Sequence, residues 1–210
     1  MASAHDDSLR QEPAGLCPGI YSFEGVTPVV DPSAYIHPTA VLIGDVIVGA
    51  GCYVGPGAVM RGDFGRIELH RGANLQDNCV VHSRGDVDCI MEEDSHIGHG
   101  AVIHACHIGR DSLVGMNAVV MDMAQVGEQA VVAAMSFVKI RDVVAPRTLV
   151  AGIPARYVRD LTDANIKGKQ KGTELYKELA QRCVAGLRPA VALTEVEPDR
   201  SRTDWSGYSF

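Results

Sequence analysis

The sequence predicts a mainly β protein, a parallel β-helix closed by a C-terminal α-helix. Three observations predict it: an apolar residue at every sixth position, a small side chain four residues after most of these, and a glycine directly after several, as in Ile43-Gly44, Ile97-Gly98 and Ile108-Gly109. Short β-branched strands recurring in strict phase and ending in tight turns suit three-sided coils with the repeat residue pointing inward. Strands of an ordinary sandwich carry similar signals without that phase.

Residues 1–20 are polar and aperiodic, which predicts a disordered extension. The repeat then occupies about 25–150. Its first register holds Val30, Ile36, Leu42, Val48, Val54 and Met60 inward, with small partners such as Ala34, Ala40, Cys52 and Ala58. After Asp63-Phe64-Gly65 it resumes at Leu69, Leu75 and Val81, and after a second break, Ser83 to Ile90, at Met91, Ile97 and Ile103. It then slips by one residue and runs through Ile108, Val114, Val120, Val126, Val132 and Val138. Gly152 and Pro154 end the strand pattern. Residues 151–190 read as a helical segment, in which Thr162 caps a short turn and Thr173 opens a longer helix with Leu175, Leu179, Cys183 and Leu187 at helical spacing. Residues 191–210 show no period and are expected to form a mobile tail.

Composition narrows the function classes. A net charge of −7 and a pI near 5.6 argue against a nucleic-acid partner, which needs clustered Lys and Arg. No apolar run reaches the length of a membrane span and the N-terminus lacks the order of a secretory leader, so a cytoplasmic protein is expected. The cysteines show no C-x-x-C spacing, and Cys52 and Cys79 fall at inward positions, as small core residues would in a reducing compartment.

The repeat gives direction to the histidines. His82 follows inward Val81 and His104 follows inward Ile103, so both point outward. From Val81 through Met91 and Ile97 to Ile103 is one full coil, which stacks the two imidazoles on one face about 4.8 Å apart at the backbone. The same count places Arg61 one rung below His82. His99 lies elsewhere, two residues after inward Ile97, and a neighbouring chain around a three-fold axis could bring it to the pair. Three neutral imidazoles and a water make a tetrahedral zinc site with an open position. A lone outward histidine is more often a plain surface residue, and His5, His37, His70, His96 and His107 read as surface or packing residues. Arg61 and Asp63 read either as an ion pair on the flank or as a structural contact at a subunit interface. Gln76 and Asp77 could orient a metal-bound water, although turn chemistry also explains Asp77-Asn78.

Arg61-Gly62-Asp63, Asn74-Leu75-Gln76-Asp77-Asn78 leading to His82, and Gly98-His99 followed by His104 together resemble the gamma-class carbonic anhydrase family of hexapeptide-repeat proteins, over about residues 25–190. The resemblance implies a left-handed parallel β-helix with a C-terminal helix, a homotrimer, and metal at the subunit interfaces. It implies zinc, or iron or cobalt, on His82 and His104 of one subunit and His99 of the next. It also implies Gln76 beside the metal-bound water, Arg61 and Asp63 at the interface, and Tyr176 near the site.

Two departures bear on the reaction. Phe64 stands where the founding carbonic anhydrases carry a glutamate, and the short Ser83–Asp88 stretch replaces their acidic loop, so carboxylates that export a proton during CO2 hydration are missing. The C-terminal residues Leu161-Thr162, Gly172-Thr173-Glu174-Leu175-Tyr176 and Arg182-Cys183 to Pro198 resemble a subgroup from phenylacetate degradation and carnitine metabolism, and the phenylacetate branch is similar to thioesterases. The leading expectation is therefore a zinc-dependent hydrolase of a small CoA thioester, most closely in phenylacetate catabolism. The alternatives are CO2 hydration, metal-free hexapeptide acyl transfer, and a non-catalytic assembly protein.

Overall fold

The structure is a computed structural model that describes residues 19–205. Most of the expected N-terminal extension, with His5 and Cys17, lies outside the described residues, as do Tyr208 and Phe210.

Short parallel strands stack into a three-faced prism. The first face runs from Gly19–Tyr21 through the starts of Val41–Val48 and Val59–Leu69 to Val80–His82, Val102–His104, Val119–Val120 and Phe137–Val138. The second joins Val29–Val30, the ends of the same two long strands, Cys89–Met91, His107–Ile108, Gln125–Val126 and Val143–Val144. The third stacks Tyr35–Ile36, Tyr53–Val54, Asn74–Leu75, His96–Ile97, Leu113–Val114, Val131–Val132 and Thr148–Ala151. An antiparallel strand, Arg156–Asp160, then folds back on the last of these.

The repeat residues line the axis. Leu42, Met60, Val81, Ile103 and Val120 on the first face, and Leu75, Ile97 and Val114 on the third, are fully buried in one continuous core. The small partners, among them Ala40, Cys52, Ala58, Ala73, Cys79 and Ala118, are buried at the corners, where a larger side chain would not fit. The register slip after Ile103 occurs at Ala105, whose left-handed backbone (φ 43) tightens that corner.

Two boundaries differ from expectation. The β-helix begins at Gly19 and not near residue 25, because Gly19–Tyr21 pairs in parallel with Val41–Ile43 before a turn bridging Phe23 and Val26 interrupts the six-residue phase. The C-terminal helix is continuous from Asp163 to Gly186, and Thr173 is a buried residue inside it, not its start. Thr162 is the true N-cap, with Asn165 completing a reciprocal capping box. The helix lies on the third face, where Tyr35, Tyr53 and Ala180 pack with Tyr176, Leu179 and Cys183. Its first turns are fastened by Lys169, whose ammonium sits 2.8 Å from the buried Asp111 carboxylate. The tail has no regular element through residue 205, and its Trp205 ring lies 4.1 Å from the Arg182 guanidinium of the helix.

Candidate functional site

The first face carries the histidine pair. Val80–His82 pairs in register with Val102–His104, so His82 and His104 stand opposite one another on adjacent rungs, with Arg61 one rung below His82. Each ring points outward because Val81 or Ile103 before it occupies the core. The rings lie 5.1 Å apart, and His82 Nδ1 is 3.1 Å from His104 Nε2.

The other nitrogen of each ring faces a carboxylate. His82 Nε2 is 3.1 Å from Asp63 Oδ1, and His104 Nδ1 is 3.0 Å from Asp122 Oδ2. An ionised carboxylate only accepts, so a neutral imidazole turns its single N–H toward it. One lone pair then remains on each ring, and the two face each other across 3.1 Å. They repel unless a proton or a metal ion lies between them. Burial holds His82 below the usual histidine range, against the opposing pull of Asp63, and so favours the neutral ring that such an arrangement requires.

The carboxylates stay ionised. Burial works to raise Asp63, but hydrogen bonds from Arg61 and His82 outweigh it and hold the carboxyl below the ordinary aspartate value. Asp122 is lowered in the same way, burial being overcome by its own backbone N–H and by His104. Arg61 Nη1 lies 2.6 Å from Asp63 Oδ2, so this ion pair also braces the His82 ring. Asp122 is a partner of the pair that the histidine spacing does not point to. Ile103 pairs with Val120, so one further rung on the same count leads to Met121 and Asp122 beside His104.

His99 is held apart, at the corner between the third and first faces. Its Nδ1 is 3.2 Å from Asp77 Oδ2, its Nε2 is 3.4 Å from the Tyr176 hydroxyl, and its backbone N–H donates to Gln76 Oε1 at 3.2 Å. Gln76 Nε2 in turn donates to Asn74 Oδ1 at 3.0 Å and to His96 Nε2 at 2.5 Å. Gln76, Asp77 and Tyr176 therefore gather around His99, while Arg61 and Asp63 gather around His82. His96 is a packing residue, as expected, with the Tyr176 ring edge-on 5.2 Å away. Burial, aided by Lys169 and His99, pushes its pKa down to about 3.

The donor set fits a metal ion in part. Tetrahedral zinc with nitrogen ligands at about 2.0–2.1 Å separates those nitrogens by about 3.3 Å, close to the 3.1 Å between the two free imidazole nitrogens. Among the described residues, one chain brings no three His, Cys, Asp or Glu side chains together as a complete metal site. No helix of the described residues is long and apolar enough to cross a membrane.

Comparison with known proteins gives the family. A model of the bacterial transferase hexapeptide (six repeats) matches residues 27–62, consistent with the left-handed sense expected of the coils. The carnitine operon protein CaiE of Proteus sp. (strain LE138) is 55% identical over 183 residues, covering 87% of this chain and 93% of its own. A solved Bacillus cereus protein, described as a proposed acetyltransferase, superposes with a TM-score of 0.78 at 32% identity over 79% of this chain and 96% of its own. A hexapeptide transferase family protein from Anaplasma phagocytophilum does so with 0.74 at 38% identity, over 77% and 96%. Of the two pathway branches expected, the carnitine one is thus represented. Identity this high over most of the length places the chain in the hexapeptide-repeat family of the carnitine operon protein CaiE.

Proposed function

We propose that the His82–His104 pair is a metal centre, with zinc preferred over iron or cobalt, where water cleaves the thioester of an acyl-CoA. The observation that carries this reading is the 3.1 Å approach of His82 Nδ1 to His104 Nε2, with the other nitrogen of each ring against a carboxylate that favours an N–H there. Zinc in such a site supplies a water acidified toward a pKa of about 7 and a Lewis acid for a carbonyl oxygen. Asp63 and Asp122 fix the tautomer and tilt of each ring, and Arg61 keeps Asp63 in place.

The third ligand in this reading is His99 of a second copy. Asp77 occupies its Nδ1, and its Nε2, 3.4 Å from the Tyr176 hydroxyl, is the nitrogen that would bind. The outward column of the first face, Val59, Val80, Val102, Val119 and Phe137, is apolar and stays partly exposed beside the histidines, as a surface meant for another copy would. A closed ring of three copies repeats the site three times. Gln76, bonded to Asn74 and His96, then stands behind the incoming His99 and holds its backbone N–H.

The transferase matches favour a second reading, in which the acyl group passes from CoA to a hydroxyl or amine with one histidine as general base and no metal. CO2 hydration has less support. It needs a carboxylate to export a proton, whereas Phe64 packs 5.3 Å from His82 and Asp86 is tied to Arg84 at 2.7 Å.

Metal content and hydrolysis of aryl-acyl-CoA, measured in wild-type protein before and after chelation and in His82→Ala, test the reading. Hydrolysis that disappears with the metal and with His82 is the expected result. Transfer to an amine or hydroxyl that survives chelation favours the second reading, and full hydrolysis by metal-free His82→Ala sinks the first.

A further inference from the structure

Phe64 is an aromatic side chain left 64% exposed directly beside the histidine pair. Its ring centre lies 5.3 Å from that of His82 and 5.8 Å from the Arg61 guanidinium. The other side chains bonded to the pair or to its carboxylates are charged: Asp63, Arg61, Asp122 and Arg84. Phe64 thus supplies exposed apolar surface on the Arg61–Asp63 side of the pair, apart from the valine column of the first face.

The corner that carries it is rigid. A Cβ on Gly62 would collide with the Asp45 carbonyl oxygen, and one on Gly65 with the Arg84 carbonyl oxygen, so the backbone packs directly on the coil below and on the loop above. Arg66 then ties the far side of the corner to Asp45 at 3.1 Å. An exposed ring on so fixed a support is a preorganised contact surface, since it loses little freedom when something apolar settles on it.

We infer that Phe64 is the specificity-determining wall for the acyl group of the thioester. A medium-length acyl chain or an aryl ring lies along its exposed face while the thioester carbonyl sits at the His82–His104 pair. An acetyl group is too short to use that face. This inference rests on the thioester reading.

The test is the ratio of kcat/KM for hexanoyl-CoA to that for acetyl-CoA in wild type, Phe64→Ala and Phe64→Leu, with the assembly state of each variant followed by sedimentation. The ratio is expected to fall about tenfold or more in Phe64→Ala and to recover in part in Phe64→Leu, with assembly unchanged. An active wild type whose ratio survives in Phe64→Ala overturns the inference and leaves the thioester reading standing. Dissociation of Phe64→Ala with an unchanged ratio makes Phe64 a subunit contact and also overturns it. A metal-loaded wild type that cleaves neither thioester overturns both.

Discussion

Asp122 Oδ2 lies 3.0 Å from His104 Nδ1, one rung beyond the pair that His104 forms with His82. With Asp63 on the other ring, this contact leaves His82 Nδ1 and His104 Nε2 facing each other, the two nitrogens that would bind the proposed metal. Removing it frees His104 to turn over or to change tautomer. Asp122→Ala is predicted to weaken metal binding about 10–100-fold, read by competition against a chelator of known affinity. Unchanged affinity would reduce the contact to an incidental ion pair.

His96 predicts an acid-sensitive seam under the helix. It faces Gln76 from its own sheet and Tyr176 and Lys169 from the helix, with His99 nearby, and its Nδ1 is buried without a partner. Its folded pKa of about 3 lies below the ordinary 6.5, so between those values the unfolded chain holds the extra proton. Stability from the neutral ring is therefore complete above pH 6.5 and lost as pH falls toward 3, by up to about 1.4 kcal/mol per pH unit. Urea titrations at descending pH should show this slope in wild type and a shallower one in His96→Gln. Parallel slopes would contradict it.

Ile97 is fully buried between Leu75 and Val114 on the axis of the third face. Each coil touches chiefly its neighbours, so the cavity left by Ile97→Ala cannot be closed by distant rearrangement. A loss of about 2–5 kcal/mol is expected from denaturant unfolding, and a loss below about 1 kcal/mol would mean that the coils collapse around the gap.

The adjacency of His82 and His104 is legible in the sequence because rung spacing is a property of the backbone. Once Val81 and Ile103 are inward and one coil apart, the residues after them have one place to point. Asp122 escapes the same count because nothing in the spacing of the histidines asks for a further rung. The helix start is hidden by Gly168 and Gly172 among Lys167, Lys169 and Lys171, a stretch of poor amphipathic pattern that tertiary contacts hold in place. Lys169 and Asp111 bury their side chains together there, only 7% and 10% exposed. The entry strand Gly19–Tyr21 is hidden for another reason, since the Phe23–Val26 turn puts it out of phase with the repeat.

A metal site completed by His99 of another copy can be rebuilt from two inactive variants. Purified His82→Ala and His99→Ala proteins, each unable to complete a site alone, are unfolded, mixed and reassembled with zinc. If His82 and His99 belong to different subunits of one site, some mixed interfaces pair an intact His82 with an intact His99, and bound metal and thioesterase activity both return. If the mixture stays as empty and inactive as its components while wild type carried through the same procedure recovers, His82 and His99 do not meet across a subunit boundary and the proposed site does not exist.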